Sequence, residues 1–118
     1  MSPHNYSITI LKIRNEKDFD LKVIKSALPT VVVFMNSWSG NSFLLIAMLE
    51  KLASQYKGQF RLLAIDVDKF PSLQQRFSIT KTPTTCFFKK GEIVEIVKGV
   101  IPTQAIEKYI VSLVKLAA

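Results

Sequence analysis

The chain has 118 residues, 48% of them apolar and 21% charged, which suits one globular domain with its own core and excludes a disordered segment. One cysteine, Cys86, excludes an internal disulfide and a cysteine-rich metal site, and one histidine, His4, argues against a histidine-based catalytic or zinc centre, so no metal or cofactor is expected. The net charge of +7 is spread along the chain, with Lys89-Lys90 the one adjacent pair, so it implies a solvated lysine-rich surface and no nucleic acid partner.

Ser7 to Ile13 alternates with period two and predicts a strand, followed by turn chemistry at Asn15. Phe19, Val23, Ile24 and Leu28 recur at helical spacing, which predicts a helix over Lys17–Ala27 stopped by Pro29. Thr30 to Asn36 is apolar without alternation, as in a central strand covered on both faces. A turn over Ser37–Asn41 leads to a helix predicted from Ser42 to Lys57, with Leu45, Leu49, Leu52 and Tyr56 on one face and Gly58 as its cap.

Phe60 to Asp68 reads as a third strand and Asp68 to Phe77 as a short helical piece. Thr84–Lys89 and Glu92–Lys98 read as two strands joined by a hairpin at Lys90-Gly91. Gly99 breaks the second of these. Pro102 starts a last helix that buries Ala105, Ile106, Tyr109, Ile110, Leu113 and Val114. The order β-α-β-α-β-α-β-β-α predicts a single α/β domain over residues 1–118, with a mixed five-stranded sheet and helices on both faces. Charges at Lys12, Arg14, Glu16, Lys17 and Asp18 interrupt the first stretch, and the longest apolar run is Phe43–Leu49, so neither a signal peptide nor a membrane span is expected and the cytoplasm is.

Four motifs in this order resemble those of the thioredoxin family, over about residues 5–115. Trp38-Ser39-Gly40-Asn41-Ser42 stands where that family has Trp-Cys-Gly-Pro-Cys, after the same apolar strand. Asp66-Val67-Asp68 with Pro71, Thr82-Pro83-Thr84, and Phe88-Lys89-Lys90-Gly91-Glu92 with Gly99 match the third strand's exit, the cis-proline segment and the terminal hairpin. The resemblance implies the thioredoxin fold, with Pro83 cis and facing the motif. A proline at a strand start cannot donate a ladder bond, and a cis bond there turns the backbone of Thr82 outward, free to pair with an extended peptide.

The family's activity needs two thiols at the helix start, whereas Ser39 and Ser42 occupy those positions. An alcohol forms no disulfide, so dithiol exchange by this motif is excluded, and no catalytic residue is assigned. A hydrolytic role for Ser39 would need an adjacent base, which the turn lacks; helix capping accounts for the serines. The departures extend further. Val33 matches the family's buried aspartate, Ala64 the lysine paired with it, and Ala47 the proline that kinks the helix. Loss of the proton-handling groups together with the thiols argues for a protein that has left redox chemistry.

What the resemblance leaves is a surface. Trp38, Asn41, Phe43, Thr82, Pro83, Val100 and Ile101 correspond to the family's substrate face, with apolar Phe43 where lysine is common, so a protein or extended peptide segment is the expected partner. Two alternatives stand beside this reading. A residual oxidoreductase could use Cys86 or a partner's thiol, although Cys86 lies on the order of 10 Å along the strand from Pro83 and its Phe87-Phe88 neighbours suggest burial. A structural homodimer could form through the Trp38/Phe43 face.

Overall fold

The computed structural model describes residues 10–37 and 39–117. The strand expected over Ser7–Ile13 lies in part outside the described residues; within them β1 is Ile10–Leu11. Asn15 caps the next helix, its side chain accepting from the backbone N–H of Asp18 at 2.8 Å. This helix, α1 (Glu16–Phe19), continues as a π-helical turn over Asp20–Ile24 and ends three residues short of the expected Ala27.

β2 (Thr30–Met35) is buried at every position, as its unbroken apolar run requires. α2 (Gly40–Gln55) runs uninterrupted for 16 residues. It starts two residues before the expected Ser42, because Ser39 takes the N-cap and draws Gly40 and Asn41 into the first turn. Gly58, at φ +75°, adopts the left-handed conformation soon after the helix ends. β3 (Arg61–Asp66) stops before Val67 and Asp68, which belong to a turn, and α3 is Pro71–Arg76, with proline at its first position. β4 (Thr84–Lys89) and β5 (Glu92–Lys98) have their expected bounds. Lys90 and Gly91 both have positive φ, 52° and 81°, as a two-residue hairpin turn of this twist demands. α4 spans Thr103–Ala117.

The sheet is five-stranded and mixed, in the order β1-β3-β2-β4-β5. β1, β3 and β2 run parallel, while β4 is antiparallel to β2 and to β5. Because side chains alternate along β2, its residues feed two cores. Val31, Val33 and Met35 meet Leu45, Leu49, Ile106 and Ile110 of α2 and α4. Val32 and Phe34 meet Phe19, Val23 and Leu73 of the α1 and α3 side. Each fully buried side chain of this size contributes about 1.5–3 kcal/mol through apolar transfer.

The α1–α3 side is also clamped by Arg76, whose guanidinium bonds Glu16 at 3.0 Å and Asp20 at 2.9 Å. It lies over the Phe19 and Phe77 rings at 5.8 and 5.0 Å. The two helix layers thereby hold the carboxyl end of β2, where the motif begins, in a fixed frame.

Candidate functional site

The apolar run of β2 ends at Asn36, a buried amide that ties three segments together. Its backbone carbonyl accepts from Ser39 N–H at 3.1 Å, closing the turn that opens α2. Its side-chain Nδ2 donates to Asp68 Oδ2 at 3.2 Å, reaching the exit of β3. Its Oδ1 accepts from the Thr82 hydroxyl, reaching the segment before Pro83. The sequence reading passed over Asn36 as a strand end. The available signal was a polar amide directly after five apolar residues of a central strand, where burial demands partners.

Ser39 is extended, at φ −94° and ψ 120°, and its Oγ accepts from Ser42 N–H at 3.4 Å, the geometry of an N-cap. Ser42 shares the buried face of α2 with Leu45, Ile46 and Leu49; it is 0% exposed and its Oγ has no partner among the described residues. Beneath the helix start, Val33 is registered with Ala64 on β3 and Thr85 on β4. None of these three side chains titrates. These three register positions therefore offer the hydroxyls no base, and His4 lies outside the described residues.

The Thr82–Pro83 peptide bond is cis, Pro83 is buried, and its carbonyl accepts from Gly99 N–H at 2.7 Å. This bond brings the end of β5 against the start of β4. Asn41 and Phe43 are exposed at the start of α2, Phe43 to 55%. Thr82 is half-buried. Val100 and Ile101 are also half-buried and pack against the core shared by α2 and α4, so they form a shoulder of the face more than a free surface. Trp38 lies outside the described residues. The Lys81 ammonium stands 3.8 Å from where a side chain at Gly99 would begin, so a cation borders this end of the sheet.

Cys86 pairs with Val32 and Ile96 across the strands, on the α1–α3 face and away from the Ser39 turn. It is 0% exposed, and burial pushes its thiol pKa up to about 11. A thiol in that state is a poor nucleophile. Among the described residues no three His, Cys, Asp or Glu side chains gather as a metal site would need, and no helix is long and apolar enough to cross a membrane.

The sequence model of the thioredoxin family matches residues 10–112. The chain belongs to the thioredoxin family. It is 31% identical over 100 residues to a chloroplastic M-type thioredoxin of Spinacia oleracea, covering 81% of this chain and 55% of the spinach one. It is 29% identical over 108 residues to the M-type thioredoxin of Pisum sativum, covering 88% and 63% respectively. Thioredoxin 1 of Synechococcus elongatus is 30% identical over 84 residues, covering 71% of this chain and 78% of that one. The chain thus spans less than two thirds of the length of the two plant thioredoxins.

Proposed function

We propose that this chain is a thioredoxin-fold binding module without dithiol chemistry, which holds an extended segment of a protein partner in the cytoplasm. The observation that carries the reading is the state of the two serines. Ser39 spends its hydroxyl on the helix cap, Ser42 is sealed in the core, and the sheet beneath them offers Val33, Ala64 and Thr85 instead of a proton carrier. The burial of Cys86 counts against an oxidoreductase working through that thiol.

The binding surface in this reading joins the backbone of Thr82 to Asn41 and Phe43, with Pro83, Val100 and Ile101 behind it, and takes in Trp38 by the resemblance. An extended segment pairing there would gain main-chain hydrogen bonds, and Phe43 would supply apolar contact. The Asn36 bond supports this arrangement by drawing the Thr82 hydroxyl inward, toward β2.

Two measurements test it. In an insulin-reduction assay with dithiothreitol the protein adds nothing to the background rate; turnover above background, lost in Cys86→Ser, would establish the oxidoreductase alternative. In a pull-down, Trp38→Ala with Phe43→Ala releases the partner. Capture of all partners undiminished by that double substitution would sink the binding site.

A further inference from the structure

Along α2 the residues Leu44, Ala47, Met48 and Lys51 fall at i, i+3, i+4 and i+7, one face of a helix, and this face is not the one turned to the core. Leu44 is 55% exposed, Ala47 is exposed and Met48 is half-buried. The stripe is unbroken because α2 is unbroken, with alanine at position 47. Together with Thr103 and Glu107 of α4 it lines a groove of about 340 Å³.

We infer that this groove between α2 and α4 docks an acidic amphipathic helix of a protein partner. The walls select the secondary structure of the occupant. Both are helices whose backbone groups are already bonded, so the groove offers side chains alone and an extended peptide would gain no main-chain pairing from it. A helix satisfies its own backbone and presents apolar residues at the spacing the stripe requires.

The rim selects the charge. α2 and α4 carry two carboxylates: Glu50 is buried, and Glu107 accepts from the Tyr56 hydroxyl at 2.8 Å. Against them stand the exposed Lys51 in the groove and the exposed Lys108 and Lys115 in the adjoining hollow, which shares Glu107. A second copy of this chain is a poorer occupant, because each face would bring the three exposed lysines Lys51, Lys108 and Lys115 against a single half-buried Glu107. This surface is separate from the Thr82 face, and the inference stands whether or not that face binds.

The test uses the full chain and two fluorescent peptides of about 14 residues, roughly four helical turns. Both carry leucines at i, i+3 and i+7; one has glutamates on the flanks and the other lysines. The glutamate peptide binds, by anisotropy, at least about tenfold more tightly than the lysine peptide. Lys51→Glu with Lys108→Glu reverses the preference, Leu44→Glu abolishes binding while its circular dichroism melt stays cooperative, and Phe43→Ala leaves binding unchanged. The inference is overturned if neither peptide binds, if both bind equally, if binding survives Leu44→Glu, or if sedimentation shows a dimer that Leu44→Glu dissociates, which would give the groove to a second copy.

Discussion

Ser39 and Ser42 are chemically identical and three residues apart, yet they carry opposite signs in stability. Ser39 caps α2, and Ser39→Ala should cost about 1 kcal/mol. Ser42 buries a hydroxyl with no partner among the described residues, a penalty of about 1–3 kcal/mol, and alanine is also the better helix former. Ser42→Ala is therefore expected to raise the urea midpoint at an unchanged slope, and Ser39→Ala to lower it. That a serine caps this helix was legible in the sequence, whereas which of Ser37, Ser39 and Ser42 does so was not. The burial of Ser42 was not, since a small polar residue gives no sign of which side of a helix faces a sheet until the apolar positions at 45, 46 and 49 are seen as its companions. Asn36 escaped for a related reason: its partners Asp68 and Thr82 are distant in sequence, and only the strand order brings them together.

At the scale of elements, stability resides in junctions. Asn36→Ala strips partners from Thr82 and Asp68 and is expected to cost about 1–3 kcal/mol by urea denaturation. Asn36→Asp is worse still, because it sets two carboxylates within hydrogen-bonding distance. Adding Asp68→Asn to it restores a donor facing an acceptor, so the double variant should recover much of the loss, a coupling that a double-mutant cycle reads directly. The start of α1 has its own junction. The backbone N–H of Arg14 donates to Asp18 Oδ2 at 3.0 Å and holds the Asp18 carboxyl below its ordinary 3.8; burial opposes this, and Lys22 adds to it. A lowered carboxyl pKa stabilises the fold at higher pH, and that contribution is lost as the carboxylate protonates below 3.8. The difference in urea midpoint between wild type and Asp18→Asn should accordingly shrink as pH falls through that range. Element identity was readable from periodicity, whereas the boundary at Gly40 was not, because glycine and asparagine read as a turn until Ser39 is recognised as the cap.

Over the whole molecule, the sheet separates two cores, and the one beneath α2 and α4 contains the position at which the resemblance places a buried acid. Val33 is 0% exposed there, with Ala64 and Thr85 as its cross-strand neighbours. Val33→Asp is expected to destabilise the protein by several kcal/mol, on the order of 3–5, at pH 7, since one hydroxyl of Thr85 does not replace the lost hydration. Burial would raise that carboxyl above its unfolded value of about 3.9, so the penalty grows as pH rises above that value and fades below it. Val33→Asn, which does not titrate, should show no such pH dependence. The edge strand β5 is handled differently. It exposes Val94 and Ile96, but a bulge opposite Phe87 and Phe88 and the charges of Glu92, Glu95 and Lys98 spoil it as a template for another strand.

The single amide of Asn36 also has a mechanical consequence. The turn before α2, the exit of β3 and the approach to β4 all share it, so none of the three can shift without straining the other two. Its three bonds couple the movements of these segments to one another. If the proposed binding module is right, a partner segment would meet a site whose shape is set before it arrives, and the module would lose little freedom on holding it.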